Sequence, residues 1–309
     1  MSGGEVPVRL WRSVLAVPGA RPELFPKAAR GDADRVFLDL EDSVAPADKE
    51  DARRAVIQGL RDVEWPRDGA AVSVRINAID THWMYRDLID VVEQAGDRLD
   101  SVLLPKAGVA ADVYLVDALL GQIERATGIA RRIGIEPVIE TALGLSNVEA
   151  IAAAGPRLRA LHFGPGDMAA SLGVRTTAIG GLDPDYPGDQ WHAVLSRIVT
   201  AARAHALAPI AGPFGDLGDP EGFAAAARRA AVLGCAGTLV IHPSQVARAN
   251  AAFTPGPAEV EHARRVLAAL DEAAAAGRGA AQLDGRLIDG VSARLAGNVV
   301  GMAEAIARR

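Results

Sequence analysis

The sequence contains a single cysteine, Cys235, among its 309 residues. One thiol excludes an intrachain disulfide and any zinc site built from several cysteines. Its neighbours Gly234, Ala236 and Gly237 are small and uncharged, whereas a reactive thiolate needs a cationic setting. We therefore predict that Cys235 is a small residue of the core.

Long apolar runs and an excess of positive charge are also missing. No stretch reaches the roughly 20 apolar residues of a transmembrane helix, and the opening MSGGEVPVRLW lacks the apolar segment of a signal peptide. The formal net charge is -6, whereas nucleic-acid-binding surfaces concentrate Lys and Arg to displace phosphate counterions. These absences predict a cytoplasmic protein that neither spans a membrane nor binds nucleic acid.

A glycine-rich phosphate loop is missing as well. After the first apolar run the chain turns through Pro18-Gly19-Ala20-Arg21-Pro22, which matches neither G-x-G-x-x-G nor the P-loop pattern. An open doubly wound sheet that binds a nucleotide usually carries such a motif at this turn. The absence favours a closed βα-barrel over an open sheet.

Short apolar runs alternate with amphipathic segments along most of the chain. This alternation indicates strand–helix units whose strands pair in parallel, and eight units within about 250 residues is the size of a (β/α)8 TIM barrel. The predicted strands are 13–17, 35–40, 71–76, 101–105, 134–139, 160–163, 208–211 and 237–241. We predict an α/β protein in which residues 1–250 form a catalytic TIM barrel.

The composition changes after the eighth predicted strand. A helical segment rich in Ala, Glu and Arg spans 258–276, Asp284-Gly285 marks a hairpin turn, and a last helix begins near Val291. Eight units already close a barrel, so this part must pack outside it. We predict a C-terminal helical and hairpin extension, residues 251–309, that covers a barrel mouth as a lid, either its own or that of a neighbouring subunit.

Charged residues recur where the apolar runs end, and in a βα-barrel these ends form one rim. Glu140 and Asp167 end the fifth and sixth predicted strands, which are neighbours. Adjacent carboxylates repel unless a cation neutralises them, and Mg²⁺ typically takes one or two carboxylates and keeps several waters. The pattern predicts a magnesium site on Glu140 and Asp167, with capping of a helix as the alternative role for each.

Three carboxylates, Asp39, Glu41 and Asp42, end the second predicted strand. Such a group is costly at the end of a buried run without cationic partners, and Arg12 and Arg75 on the flanking strands are expected to supply them. Arg75 lies between apolar residues, so its planar guanidinium must point inward. It either binds a carboxylate or a developing oxygen anion of the substrate, or forms a structural ion pair.

Lys106, His162 and His242 also lie in or directly after apolar runs. For each, a structural role stands beside a functional one. His162 also fits a hydrogen-bonded core residue, and His242 also fits a cap of the following helix.

The sequence resembles the citrate lyase β-subunit (CitE-like) family of the HpcH/HpaI aldolase superfamily, and the resemblance spans nearly the whole chain. The last three of its five motifs are closer to the malyl-CoA and β-methylmalyl-CoA lyase branch. The motifs are Arg12-Ser13-x-Leu15-x-Val17-Pro18-Gly19, the run from Ala33 to Lys49 that contains Leu38-Asp39-Leu40-Glu41-Asp42, Arg175-Thr176-Thr177-x-Ile179-Gly180-Gly181, Pro213-Phe214-Gly215-Asp216 and Ile241-His242-Pro243-Ser244-Gln245-Val246.

This resemblance implies a lyase that depends on Mg²⁺, with Mn²⁺ as a substitute, and that acts on coenzyme A thioesters. The implied reaction is the reversible Claisen-type cleavage of malyl-CoA, β-methylmalyl-CoA or citramalyl-CoA to acetyl-CoA or propionyl-CoA and a 2-oxo acid such as glyoxylate. It implies metal binding by Glu140 and Asp167, and a catalytic Arg75 that faces the oxo acid or the forming oxygen anion. The implied assembly is a homotrimer or a hexamer.

The resemblance also implies roles that the strand pattern does not reach. Asp289 matches a catalytic aspartate that the tail of a neighbouring subunit delivers, and Arg21 and Lys27 match positions that bind the CoA phosphates. As supporting residues around the substrate it places Glu41, Asp42 and Arg12.

Two departures from the branch leave the acyl group open. Gly237-Thr238-Leu239-Val240 stands where the branch tends to have Gly-Lys-Trp, and the segment after Gly181 is shorter than in some members. A malyl-CoA thioesterase, in which a water of the Mg²⁺ site attacks the thioester, and a citryl-CoA lyase are alternatives on the same scaffold. A CoA-independent pyruvate aldolase is disfavoured by the CitE-like opening and tail.

Overall fold

A computed structural model of the chain describes residues 9–65, 71–176 and 178–309. The expectation about a signal segment rests mainly on residues 1–8, and these lie outside the described residues. Thr177 of the third motif also lies outside them. The described residues divide into two compact units, Trp11–Phe253 and a second unit that holds Thr254–Arg309 with Arg9 and Leu10. No helix of the described ranges combines the length and the apolar character that a membrane span requires.

Eight parallel strands form a closed barrel in the first unit, and their order around the barrel follows the sequence. Their side chains are buried almost throughout, because helices cover the outer face and side chains fill the interior. The predicted TIM barrel is therefore confirmed. The strands are β1 (Ser13–Pro18), β2 (Arg35–Asp39), β3 (Ala71–Arg75), β4 (Ser101–Leu104), β5 (Gly134–Ile139), β6 (Ala160–Phe163), β7 (Ala208–Ala211) and β8 (Gly237–Val240).

Helices follow the strands, and helix α9 (Pro220–Leu233) shows how the sequence sets their ends. Asp219 accepts a hydrogen bond from the Gly222 backbone N–H at 2.8 Å and caps the start. Gly234 ends the helix in the left-handed region at φ 108°, and Phe223 and Ala227, one turn apart, lie on its buried face. The helices of this unit are α1 (Phe25–Ala29), α2 (Lys49–Asp62), α3 (Met84–Ala95), α4 (Ala110–Thr127), α5 (Ala142–Ser146), α6 (Val148–Ala152), α7 (Pro165–Leu172), α8 (His192–Ala204), α9 (Pro220–Leu233) and α10 (Pro243–Ala252).

A buried polar network joins β2, β5 and β6. Glu136 accepts a hydrogen bond from Arg35 Nη2 at 3.2 Å and lies 2.7 Å from His162 Nε2. Burial alone would raise the pKa of Glu136, but the charge of Arg35 and the bond to His162 outweigh it and lower the pKa to about 2. His162 is therefore a hydrogen-bonded core residue, which is the structural one of its two predicted roles.

Cys235 lies in a small apolar cluster with Val199, Ala211 and Phe253. Burial raises the pKa of its thiol to about 12, so the thiol stays protonated and unreactive at neutral pH. The prediction of a small core residue is confirmed.

The second unit contains two helices and the predicted hairpin. Helix α11 (Pro257–Ala275) leads to strands β9 (Ala281–Leu283) and β10 (Arg286–Ile288), and helix α12 (Gly290–Ala307) follows. Asp284 and Gly285 turn the hairpin with φ of 51° and 77°, the left-handed conformation that Asp-Gly turns adopt. A small core that includes Val266, Ile288 and Ala296 holds this unit together.

Gly237→Ala is expected to destabilise the barrel strongly, by roughly 2 kcal/mol or more, because the close approach that closes the barrel leaves no room for a side chain. A Cβ at Gly237 would lie 1.7 Å from the Trp11 carbonyl oxygen, where β8 meets β1. Chemical denaturation measures the change. Gly121→Ala in α4 is the control, since its Cβ would meet only side-chain ends at 3.4 Å; equal stability of both variants would contradict this account.

Candidate active site

Charged side chains from five successive strand ends meet at one rim of the barrel. Asp39 ends β2, Arg75 ends β3, Lys106 follows β4, Glu140 follows β5, and Asp167 lies in the first turn of α7. The Lys106 backbone N–H donates to Glu140 Oε1 at 2.8 Å, and Lys106 Nζ lies 3.7 Å from Asp167 Oδ1. Because parallel strands bring their C-terminal ends together, residues far apart in sequence form one site.

Arg75 and Asp39 form a two-point ion pair across neighbouring strands, in which Nε lies 2.6 Å from Oδ1 and Nη2 lies 2.8 Å from Oδ2. Burial alone would raise the pKa of Asp39 and lower that of Arg75. Their mutual attraction outweighs burial, so the pKa of Asp39 is lowered and that of Arg75 is raised. Both groups stay charged, and the guanidinium is held in one orientation.

The remaining nitrogen of Arg75 faces the other two acids of the β2 end. Nη1 lies 2.9 Å from Glu41 Oε2 and 3.3 Å from Asp42 Oδ2. Glu41 is buried and also pairs with Lys106 Nζ, whereas Asp42 is exposed. Burial raises the pKa of Glu41 even though two cations contact it. Arg75 thus partners the acidic group as expected, and Lys106 supplies the second cation.

Arg12 is not the second cation, and the expectation that it supports the substrate site is corrected. Arg12 precedes β1, and its guanidinium pairs with Asp34, which precedes β2, with Nη2 to Oδ1 at 2.8 Å and Nε to Oδ2 at 2.9 Å. A residue that precedes a parallel strand lies at the barrel end opposite the C-terminal rim. Arg12 therefore joins the entries of two strands, away from the site.

The Glu140 carboxylate is buried beside other negative charges. Burial, together with the charges of Glu41 and Asp167, raises its pKa to about 8. Gly164 makes room for it, since a Cβ at that position would lie 2.3 Å from Glu140 Oε2. Sequence reasoning missed Gly164, because the only local signal is a glycine between a strand and a helix, which any helix start could use.

Asp167 stands half exposed at the rim, with about 37% of its side chain accessible. The residue before α7 is Gly164, and no side chain caps this helix. The Asp167 carboxylate is thus not used for capping in the described chain, and the alternative role considered for it is not observed.

The donors at this rim fit a hard divalent cation. Glu140 and Asp167 offer carboxylate oxygens alone, which suit Mg²⁺ better than softer metals. The raised pKa of Glu140 reflects burial first and the nearby charges of Glu41 and Asp167 second, and a bound cation would offset both. Within the described ranges no three His, Cys, Asp or Glu side chains form a complete metal cage.

The remaining predicted residues lie outside this group of side chains. Arg21 follows β1 and pairs with Glu23, and Lys27 is exposed in α1; their contact with CoA phosphates stays a prediction. His242 caps α10, since its Nδ1 accepts a hydrogen bond from the Ser244 backbone N–H at 3.2 Å, which is the structural one of its two roles.

Asp289 caps helix α12 of the second unit. Its Oδ1 accepts hydrogen bonds from the backbone N–H groups of Val291 at 2.9 Å and Ser292 at 3.2 Å. These bonds lower the pKa of the exposed Asp289 carboxyl. In this setting Asp289 is a weak base, so a role in proton transfer requires that its surroundings change.

The chain is similar to known proteins over nearly all of its length. Residues 12–243 match the family model described as HpcH/HpaI aldolase/citrate lyase. An L-malyl-CoA/β-methylmalyl-CoA lyase of Cereibacter sphaeroides is 49% identical over 97% of this chain and 96% of its own length. A (3S)-malyl-CoA thioesterase of the same species is 35% identical, with 96% of each chain covered. The crystal structure of CitE from Mycobacterium tuberculosis, in complex with magnesium, acetoacetate and coenzyme A, is 33% identical with a TM-score of 0.76, covering 94% of this chain and 97% of that one.

Glu140→Gln is expected to raise the thermal midpoint of the metal-free protein at pH 9 and to change it little near pH 4.5. The folded pKa of about 8 exceeds the ordinary value of 4.5, so the wild type loses stability as the pH rises between these values. Glutamine cannot ionise and avoids this loss. Thermal unfolding in EDTA from pH 4.5 to 9 provides the measurement.

The control for this experiment is Glu149→Gln, which removes an exposed acid paired with Arg197. Because that ion pair lowers the pKa of Glu149, the thermal midpoint of the control should not rise above that of the wild type at high pH. Parallel midpoint curves for the wild type and Glu140→Gln would show that the Glu140 carboxylate is not destabilised by its surroundings.

Proposed function

Since the chain belongs to the HpcH/HpaI aldolase/citrate lyase family, we propose that it is a Mg²⁺-dependent carbon–carbon lyase. It cleaves a 3-hydroxyacyl-CoA such as malyl-CoA, β-methylmalyl-CoA or citramalyl-CoA, reversibly, to acetyl-CoA or propionyl-CoA and a 2-oxo acid such as glyoxylate. The observation that carries this proposal is the rim itself, where Lys106 contacts both Glu140 and Asp167 and where Asp39 fixes the guanidinium of Arg75 at the neighbouring strand end.

Glu140 and Asp167 would hold the Mg²⁺, with Mn²⁺ as a substitute. When bound, the ion supplies Lewis-acid polarisation of an oxygen of the oxo acid. The fit of the site supports this assignment, because Gly164 leaves the space that the Glu140 carboxylate occupies and the rim carries excess negative charge. The Mycobacterium tuberculosis CitE structure, which contains magnesium, gives independent support.

Arg75 stabilises the charge that develops during the reaction. In the condensing direction the carbonyl oxygen of the oxo acid gains negative charge as the new carbon–carbon bond forms. A guanidinium that Asp39 already fixes can meet this charge without reorganising, and such fixed donors are worth roughly 10²–10³ in kcat. Glu41 and Asp42 lie against the same guanidinium and help to keep it in place.

Asp289 of a neighbouring subunit acts as the base. It takes a proton from the methyl group of acetyl-CoA, and the resulting carbanion attacks the oxo-acid carbonyl carbon. The carbonyl oxygen becomes an alkoxide, which takes up one proton to form the hydroxyl of the product, and Asp289 gives up the proton that it accepted, so that no net proton is gained or lost. Cleavage reverses these steps. Because the exposed Asp289 has a lowered pKa, closure of the lid must remove water and the capping hydrogen bonds to make it basic.

The same proposal covers the less direct assignments. Arg21 and Lys27 bind the CoA phosphates, for which their exposed cationic side chains beyond β1 are suited. A catalytic residue on a neighbouring lid requires an oligomer, which we take to be a homotrimer or a hexamer. The compartment is the cytoplasm.

Incubation of the purified protein with Mg²⁺ and malyl-CoA is expected to yield glyoxylate and acetyl-CoA in equal amounts, identified by mass spectrometry. A thioesterase, the activity in the name of the relative at 35% identity, would instead release malate and free CoA. Condensation of acetyl-CoA or propionyl-CoA with glyoxylate, pyruvate or oxaloacetate determines the acyl group and tests for a citryl-CoA lyase. The lyase proposal fails if no reaction mixture forms or cleaves an acyl-CoA at a carbon–carbon bond.

Asp289→Asn is expected to lower kcat by about 100-fold or more while the KM for the acyl-CoA changes little, because general-base catalysis contributes roughly 10²–10⁴. Asparagine is also a good helix cap, so α12 keeps its start, whereas Asp289→Ala removes the base and the cap together. Steady-state kinetics with circular dichroism separates the two effects. Near-normal turnover by Asp289→Asn would remove Asp289 from the mechanism.

A further inference from the structure

Lys49, the first residue of α2, is a buried cation behind the acidic group of the rim, with only 5% of its surface exposed. Its ammonium donates three hydrogen bonds, to the Leu40 carbonyl at 2.8 Å, the Glu41 carbonyl at 2.7 Å and Asn77 Oδ1 at 2.7 Å. These three bonds use every proton of the ammonium. Lys49 therefore holds the backbone of Leu40 and Glu41 in place.

Asn77 and Asp87 connect this ammonium to the body of the barrel. Asn77 Nδ2 donates to the Leu40 carbonyl at 2.9 Å and to Asp87 Oδ2 at 2.5 Å. Asp87, fully buried in α3, also accepts hydrogen bonds from the Asn77 backbone N–H at 3.0 Å and from Arg53 Nε at 2.8 Å. The chain of contacts from Arg53 to Lys49 thus ties α2, α3 and the end of β3 to the turn after β2.

Glu41 is the side chain that this anchor controls. Its carboxylate contacts Arg75 and Lys106, but Oε2 is buried and has no hydrogen bond of good geometry in the described chain. The carboxylate is therefore placed by its own backbone, by the hydrogen bond that Lys106 Nζ donates to Oε1, and by the charge of Arg75 beside Oε2. A shift of the Glu41 backbone would move a negative charge against Arg75, which Asp39 holds from its other edge.

We propose that Lys49 is a positioning residue for the cleavage reaction. It fixes the backbone at Leu40 and Glu41, so that Glu41 keeps Arg75 in its working orientation and holds Lys106 beside Asp167. The proposal rests on the lyase function proposed above. Lys49 itself contacts neither reactant, since its three protons are bonded within the protein. Its removal takes one buried donor from each of the Leu40 and Glu41 carbonyls and from the Asn77 amide oxygen.

Lys49→Met tests this role, because methionine has a similar length and no donor. We expect kcat to fall about 10- to 100-fold, the scale of a small displacement of catalytic groups, while the KM for the acyl-CoA stays within about twofold of the wild type. In a Glu41→Gln background the same substitution should lower kcat by less than about threefold. If Lys49 acts through Glu41, the effects of the two substitutions are not additive.

Arg157→Met is the matched control. Arg157 is another buried cation, which donates to the Ile133 carbonyl at 3.1 Å and to Glu124 at 2.6 Å before β6, at the end of the barrel away from the rim. Its loss should lower the thermal midpoint and leave kcat unchanged in both backgrounds.

If Lys49→Met does not fold, Asn77→Ser replaces it. Serine loses the amide contacts to Lys49 and Leu40 but keeps the backbone N–H that bonds Asp87.

Hydrogen exchange gives a readout that does not depend on turnover. The backbone N–H groups of Glu41 and Ser43 donate to Asp39, and they should exchange faster in Lys49→Met but not in Arg157→Met. Exchange rates unchanged by Lys49→Met, or effects of Lys49→Met and Glu41→Gln that multiply, would overturn the positioning role. Absence of cleavage by the wild type would instead overturn the proposed function, and exchange would still decide whether Lys49 fixes this turn.

Discussion

The ion pair between Arg75 and Asp39 is the interaction on which the rim depends. The two residues are direct partners in adjacent strands, so the closure of the barrel places a guanidinium against a carboxylate with two short contacts. Asp39 uses one edge of the guanidinium, and this leaves Nη1 directed at Glu41 and Asp42. A cation that is fixed in this way can serve a developing oxygen anion, because no reorganisation is needed during the reaction.

Around this pair the rim carries more negative than positive charge. Arg75 and Lys106 face Asp39, Glu41, Asp42, Glu140 and Asp167. The imbalance falls mainly on Glu140, which is buried and whose pKa is raised to about 8. Functional sites commonly hold such electrostatic strain, because a ligand relieves it on binding. The proposed Mg²⁺ would offset this negative charge, and Lys49 holds from behind the turn that carries Glu41.

Much of this could be predicted from the sequence, since parallel strands collect the residues at their C-terminal ends. Glu140, Asp167 and Arg75 were expected at one rim and lie there. Arg12 was wrongly grouped with them. The grouping considered only which strand Arg12 flanks, although a residue that precedes a parallel strand lies at the opposite end of the barrel. Lys49 ends one of the family motifs but was given no role, and Gly164 was missed, because neither an ammonium that bonds carbonyls nor a glycine that leaves space for a carboxylate shows its function in the local sequence.

The sequence by itself determined the eight strands, the hairpin and the family, because each depends on local periodicity, on turn residues or on motifs that are contiguous in the chain. Only the tertiary structure decided which cation meets which acid, that His162 and His242 have structural roles, and that Asp289 caps a helix with a lowered pKa. Pairing and pKa depend on burial and on distances between residues far apart in the chain, and these quantities exist only once the barrel has closed.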